Sequence, residues 1–96
     1  MKKGYWVVAY RSVLDESALK EYGKLATTAI KAGSGKTLIL ASEVHPRESG
    51  INQRLVVVEF ESLEKAIATY DSPAYQSALR ALGAGADRDF RIVEGA

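Results

Sequence analysis

The spacing of apolar positions divides the chain into six segments. Four of them are short runs rich in apolar, β-branched and aromatic residues, which is typical of strands; they cover residues 4–11, 36–44, 54–60 and 88–93. In the other two, residues 18–30 and 62–82, apolar residues recur at intervals of three and four, as in amphipathic helices with one buried stripe. The predicted order is therefore strand, helix, strand, strand, helix, strand.

Residues that suit turns and helix ends separate these segments. Asp15 is a good N-cap for the first helix, and Gly33 suits its end because glycine readily adopts the left-handed conformation. Ser62 can cap the second helical region, which is predicted to restart at Pro73 because proline is favoured at the first position of a helix. The polar residues 45–50 predict a loop between the second and third strands.

This order predicts an α+β domain of the ferredoxin-like βαββαβ type, a sandwich in which two helical regions cover one face of an antiparallel sheet. Right-handed crossovers would place the first and third strands side by side at the centre of that sheet. We expect all 96 residues to form a single domain. A chain of this length is near the lower end of what buries a core without disulfides or metals.

Both faces of the predicted strands are apolar, whereas a half-solvated strand should alternate apolar with polar residues. In the first strand, one face carries Trp6, Val8 and Tyr10, and the other carries Tyr5, Val7 and Ala9. Two helical regions cover only one face, so the other would expose an apolar patch of roughly several hundred Å², as large as monomers tolerate. The simplest cover is a second copy packed sheet against sheet, and we expect a homodimer. The alternative is that some of these residues lie at edges or under loops.

A resemblance to a known family rests on three segments, residues 54–62 (RLVVVEFES), 70–75 (YDSPAY) and 91–95 (RIVEG), together with the opening residues 3–6 (KGYW). With the strands and helices placed, nearly the whole chain resembles the bacterial family called domain of unknown function 1330. The resemblance implies a ferredoxin-like fold that forms a dimeric α/β barrel. Proteins of that superfamily include monooxygenases, isomerases, dehalogenases and simple small-molecule binders, so the resemblance implies no particular reaction.

The composition of the chain argues against two classes of binding partner, nucleic acids and membranes. Thirteen basic and twelve acidic residues are interspersed and leave a net charge of +1, whereas nucleic-acid-binding proteins concentrate Lys and Arg on one face or in a tail. No apolar run approaches the roughly 20 residues of a membrane-spanning helix, and no signal-peptide pattern is present. We therefore expect a cytoplasmic protein that binds neither nucleic acid nor membrane.

Features that would indicate a cofactor are weak. The chain has no cysteine, and its single histidine is His45; this argues against a metal centre and leaves open only a haem bound transiently through His45. Residues 32–37 (AGSGKT) end like a phosphate-binding loop, but Ile30 stands where that motif requires a glycine. The motif also opens a helix, whereas this segment opens a strand. A glycine-rich turn is predicted, and no cofactor is expected.

Three charged residues are candidates for ligand binding on the face of the sheet away from the helices. Glu59 interrupts an otherwise apolar strand, and we expect Arg11 at the same height on the neighbouring strand, which would run parallel to it. Arg91 would point to the same face from the last strand. In a partly dry cavity these groups would orient a polar group of an otherwise apolar ligand, and Glu59 could act as a general base. The alternative is that they form ion pairs or end in solvent.

Three further residues complete the candidate set. His45, flanked by Glu43 and Glu48 in a polar loop, is a candidate ligand or catalytic group, although a solvated histidine is the more ordinary interpretation. Trp6 could form part of an aromatic cavity lining, or belong to the core or to the interface. Tyr75 could reach the mouth of the cavity.

Two functions remain open on this basis. The first is a dimeric protein that binds a small apolar or aromatic molecule, or transforms it as a cofactor-free enzyme, with one cavity per subunit between sheet and helices. The second is a non-enzymatic structural or interaction module whose sheet face serves only dimerisation. This second function predicts no ligand-sized cavity between the paired sheets, together with an Arg11 or Glu59 that is ion-paired or solvated.

Overall fold

A computed structural model describes residues 2–96 of the chain. Within these residues it contains β1 (Gly4–Val13), α1 (Glu16–Ala32), β2 (Lys36–Ala41), β3 (Leu55–Phe60), α2 (Leu63–Asp71), α3 (Pro73–Leu82) and β4 (Ala86–Glu94). β1 and β4 are longer than predicted. β2 is shorter than predicted and ends at Ala41. Ala41 pairs with Leu55, and Leu55 is the first residue of β3, so no further pairing is available.

The strands form one antiparallel sheet in the order β2-β3-β1-β4. β1 and β3 lie at the centre, so that Trp6 of β1 pairs with Val58 of β3 on one side and with Ile92 of β4 on the other. The predicted ferredoxin-like βαββαβ fold is confirmed. Because every pair is antiparallel, the last residues of β1 and the last residues of β3 lie at opposite ends of the sheet.

The helices begin where the sequence predicts caps. Oδ1 of Asp15 accepts hydrogen bonds from the backbone N–H groups of Ser17 and Ala18, at 3.0 and 3.1 Å. The hydrogen bonds from Ser17 and Ala18 lower the pKa of this carboxyl group. The Ser62 and Ser72 hydroxyls cap α2 and α3 in the same way, the latter directly before the proline of α3. None of the helices within residues 2–96 is long and apolar enough to cross a membrane.

Gly33 ends α1, but not for the reason that the sequence suggests. Its φ is −87°, and the residue in the left-handed region is Ser34, with φ of 59°. Space is what requires a glycine here, because a Cβ on Gly33 would overlap the Thr69 hydroxyl of α2. The glycine therefore allows the end of α1 to approach α2 closely.

The core between sheet and helices is centred on Trp6, which is 1% exposed. Its ring packs against Phe60, Tyr75 and Phe90, with ring centroids 4.9, 4.7 and 5.3 Å apart. Its Nε1 donates a hydrogen bond to the carbonyl oxygen of Ala66 in α2, at 2.9 Å. The indole therefore joins the central strand to β3, β4 and the helical layer.

Candidate functional site

A cavity of about 200 Å³ lies between α1 and the helix-facing side of the sheet. Its walls are mainly apolar and aromatic side chains of α1 and of all four strands. They include Leu19, Tyr22 and Ile30 from the helix, and Trp6, Val58 and Phe90 from the sheet. We call it the α1 cavity. Its position is the one that the small-molecule hypothesis predicts, between sheet and helices.

The α1 cavity opens at the sheet edge, beside β2. Thr27 of α1 and Thr37 of β2 both line it and are exposed. Leu40 of β2 also lines it and is 76% exposed, so α1 does not cover this edge strand. The opening therefore has an apolar side chain at its rim, which suits the entry of an apolar molecule.

Gly23 leaves a gap in the helical wall of the cavity. A glycine in the middle of a helix costs roughly 0.5–1 kcal/mol relative to alanine. A Cβ on Gly23 would meet no atom within 4 Å, in contrast to the crowded Gly33. Neither packing nor backbone conformation requires a glycine at this position. Gly23 is one of the residues that line the cavity.

Replacing Gly23 with alanine is expected to stabilise the protein by about 0.5–1 kcal/mol. The added methyl group enters open space and improves helix propensity, so the Tm should rise by about 2–8 °C. Thermal unfolding followed by circular dichroism measures this change. As a control, Gly33→Ala should lower the Tm, because its Cβ would overlap Thr69. A lower Tm for Gly23→Ala would show that the position is crowded.

Two arginines bring charge to the α1 cavity, Arg54 just before β3 and Arg88 in β4. Nη1 of Arg88 donates a hydrogen bond to the Tyr22 hydroxyl at 3.0 Å, and its Cζ lies 5.5 Å from the centroid of the Tyr10 ring. Cζ of Arg54 lies 5.6 Å from the same centroid, and its buried Nε has no hydrogen-bond partner among residues 2–96. Cation–π contacts with Tyr10 therefore position both guanidinium groups.

Tyr10 and Tyr75 remain neutral at neutral pH. Burial raises the pKa of Tyr10 and of Tyr75 above the ordinary tyrosine value. The Tyr75 hydroxyl is hydrogen-bonded to that of Tyr22. Burial alone disfavours the charge of Arg88, but its interactions with Tyr22 and Tyr75 outweigh that effect and raise its pKa. At neutral pH the cavity therefore combines two guanidinium cations with the neutral Tyr10 hydroxyl, which suits the binding of anionic or hydroxylated molecules.

Arg11, Glu59 and Arg91 do not line the α1 cavity. They lie on the opposite face of the sheet, which we call the open face, because side chains alternate along each strand. Arg11 and Glu59 are not at one height either. Since β1 and β3 are antiparallel, Glu59 pairs with Tyr5, six residues or roughly 20 Å before Arg11. The expectation that Arg11 and Glu59 meet is wrong, because it took the two strands to be parallel.

The three residues already have partners on the open face. The Tyr5 hydroxyl donates to Oε2 of Glu59 at 2.8 Å. Arg91 binds both carboxylate oxygens of Asp89, at 2.9 and 3.0 Å, and this pairing lowers the pKa of Asp89. Arg11 lies 3.8 Å from the same carboxylate. The contacts of Arg11 and Arg91 with Asp89 are ion pairs, as in the alternative interpretation, whereas Glu59 is hydrogen-bonded to a tyrosine.

The remaining candidates have separate surroundings. His45 is exposed, with Nε2 3.5 Å from Oε1 of Glu43, and it lines neither the α1 cavity nor a second cavity of about 320 Å³ beside Arg11. Trp6 does line the α1 cavity, as part of the core. Tyr75 is 0% exposed and meets Tyr22 below the cavity wall rather than at its mouth. Within residues 2–96, no group of three or more histidine or acidic side chains could hold a metal ion.

Three important residues of the α1 cavity are not among the predicted candidates: Gly23, Arg54 and Arg88. The alternation that places Trp6 and Tyr10 beneath the helices also places Arg88, the partner of Tyr10 on β4, on the same side. Arg54 alternates in the same way with Val58. A glycine inside a strong helical pattern is itself a signal. Each signal is readable in the sequence once the faces of the strands are assigned.

A family model described as Domain of unknown function (DUF1330) matches residues 3–96. No curated protein matches the sequence. Among solved structures, a Rhodopseudomonas palustris protein of unknown function, RPA0582, is 12% identical with a TM-score of 0.77, over 99% of this chain and 83% of that one. A nipsnap family protein of unknown function from Agrobacterium tumefaciens is 19% identical with a TM-score of 0.55, over 98% and 88% of the two chains.

A further structural neighbour is SnoaB, a cofactor-independent oxygenase from Streptomyces nogalater. It is 9% identical with a TM-score of 0.59, over 100% of this chain and 95% of that one. At these identities the similarity shows a shared fold alone.

Proposed function

The chain belongs to the DUF1330 family, and we propose that it binds a small, mainly apolar, single-ring molecule in the α1 cavity. The observation that carries this proposal is Gly23, which lines the cavity and leaves open space where a side chain would lie, at a cost to the helix. A molecule bound in that space would explain why a glycine stands here, whereas packing within the protein does not require one. The neighbour SnoaB is a cofactor-independent oxygenase, which supports a small-molecule site that needs no tightly bound cofactor.

The size of the α1 cavity supports a single ring. Its volume of about 200 Å³ exceeds the roughly 150 Å³ of an apolar cavity that admits benzene in another protein. It is below the roughly 300–1,000 Å³ of pockets for drug-sized ligands. Aromatic walls such as Trp6, Tyr22 and Phe90 offer faces and edges on which a ring packs favourably.

We further propose that the protein is a homodimer in which two open faces pack together. Val7 and Val57 are half-buried at the centre of the open face, and Ile39 and Val93 are 41% and 43% exposed. The Tyr5–Glu59 pair lies near the beginning of β1, and the Arg11–Asp89 pair lies near its end. Arg91 lies beside Val7, on the edge strand β4. An apolar centre with a polar rim is the usual composition of a protein interface, and a two-fold axis would make the face self-complementary.

A second candidate function is the non-enzymatic module that uses the open face only for dimerisation. The pairing of Arg11, Glu59 and Arg91 with neighbours in the same chain favours it, because these groups then have no unmet need for a ligand. The two candidates differ at the α1 cavity, where only the first expects a molecule to bind.

Binding of neutral single-ring compounds to the purified protein tests the proposed function. We expect phenol, benzyl alcohol and benzamide to bind saturably, with dissociation constants in the millimolar to micromolar range expected for so few atoms, as measured by calorimetry and ligand-observed NMR. Gly23→Leu should weaken binding by about tenfold or more, because the new side chain enters the cavity. Thr28→Leu is the matched control, since Thr28 is exposed on the same helix and does not line the cavity.

Either of two results would contradict the proposal. If no ring compound, neutral or anionic, binds to the wild-type protein, the second candidate function is favoured. If Gly23→Leu and Thr28→Leu bind as tightly as the wild type, the compounds occupy another place.

A further inference from the structure

We propose that the molecule bound in the α1 cavity is an organic anion, a ring that carries a carboxylate, and that Arg54 and Arg88 hold its charge. This inference rests on the proposed function and adds the chemical class of the ligand. The charges in the cavity lining do not balance. The lining of the cavity contains two guanidinium groups and no carboxylate.

Neither arginine is neutralised within the described part of the chain. The other arginines of the sheet, Arg11 and Arg91, both lie beside the carboxylate of Asp89. Arg54 and Arg88 form no ion pair with any acidic side chain of residues 2–96. Partly desolvated cations without a counter-charge are costly, and two of them at one apolar cavity also repel each other. A bound anion removes both penalties.

Hydrogen-bond donors are available for such an anion. A guanidinium group has five N–H donors in a planar fork that matches a carboxylate. Arg88 uses one of them for the Tyr22 hydroxyl. Nε of Arg54 is buried and has no acceptor among the described residues, and a buried donor without an acceptor destabilises the protein. The other N–H groups of the two guanidinium groups are the donors that a carboxylate in the cavity would meet.

The two guanidinium groups are held in place without a ligand. Each lies against the Tyr10 ring, 5.6 Å from its centroid for Arg54 and 5.5 Å for Arg88. Arg88 also contacts the rings of Tyr22 and Phe90, at 4.8 and 5.4 Å. Preorganised groups lose little conformational freedom on binding, so ordering these two side chains subtracts little from the affinity.

Benzoate and benzamide provide a matched pair of probes, since they have nearly the same shape and differ in charge. At neutral pH the wild-type protein should bind benzoate about tenfold or more tightly than benzamide, because hydrogen bonds to a charged group are the stronger ones. Calorimetry gives both dissociation constants. This comparison needs no substitution and therefore does not depend on the folding of any variant.

Arg54→Met and Arg88→Met test the two residues separately. Each should lower the affinity for benzoate towards that for benzamide, while the affinity for benzamide stays within about twofold. Arg80→Met is the matched control, because Arg80 is exposed on α3, outside the cavity, and its loss changes the net charge equally. Circular dichroism confirms that each variant is folded. Arg54→Met should disturb the fold less than Arg88→Met, since Arg54 lies just before β3 whereas Arg88 lies within β4.

The outcomes separate this inference from the proposed function. Equal affinity for benzoate and benzamide would overturn the anion inference and leave the α1 cavity as a site for neutral rings. A benzoate preference that Arg80→Met reduces as much as Arg54→Met does would also overturn it, because net charge would then be the cause. If neither probe binds, both proposals fail.

Discussion

Val57→Glu is expected to separate the proposed sheet-to-sheet dimer into folded monomers. Val57 lies at the centre of the open face, between Val7 of β1 and Ile39 of β2. An uncompensated charge buried in a sheet-to-sheet interface costs about 3 kcal/mol or more, and a two-fold dimer carries the change twice. The dissociation constant of the dimer should therefore rise by about 10⁴-fold.

Sedimentation equilibrium at micromolar concentration measures this change, with circular dichroism to confirm the fold. The control is Ile67→Glu, which introduces the same charge at an apolar residue of α2 that is 43% exposed on the helical side of the molecule. It should leave the dimer intact. A wild-type protein that sediments as a monomer would refute the sheet-to-sheet dimer outright, and a dimer that survives Val57→Glu would place its interface elsewhere.

Trp6→Ala is expected to have the largest effect on stability, a loss of about 3–5 kcal/mol. The indole is almost fully buried, contacts three aromatic rings within 5.3 Å and donates a hydrogen bond to Ala66. Small domains are stable by only about 5–15 kcal/mol, so this loss removes a large part of the total. Urea unfolding at one fixed protein concentration measures it, since association shifts the apparent stability.

Trp6→Phe is the graded comparison for this prediction. It keeps a ring but leaves the Ala66 carbonyl without its donor, and should cost about 1–3 kcal/mol. A loss below about 1 kcal/mol for Trp6→Ala would contradict this prediction. It would mean that the surrounding rings fill the space left by the indole at little cost in free energy. The difference between the two variants isolates the aromatic packing from the hydrogen bond.

Most of the fold could be predicted from local patterns. The capping residues Asp15, Ser62 and Ser72 begin helices through hydrogen bonds of their own side chains, so short-range chemistry determines where the helices start. Strand ends depend instead on the partner strand. β2 ends where β3 begins, and the residues beyond Ala41 carry no local signal for that limit.

The positions and partners of the charged residues were harder to predict than the fold. They depend on the direction of the strands and on which residues pair in three dimensions. The expected meeting of Arg11 with Glu59 fails once the neighbouring strands are antiparallel. Arg91 pairs with Asp89, two residues earlier in the same strand, which leaves it satisfied without a ligand. Arg88 and Arg54 were predictable in principle from alternation, but their lack of carboxylate partners requires knowledge of every neighbour.

The place of Trp6 gives the protein an intrinsic optical reporter. It is the only tryptophan in the sequence, is shielded from water and also lines the α1 cavity. Indole fluorescence shifts to longer wavelengths when water reaches the ring, and it changes in intensity when an aromatic molecule or a charge comes close. One emission spectrum of the unlabelled protein therefore reports on both unfolding and cavity occupancy, since exposure shifts the emission maximum and a bound ring alters its intensity.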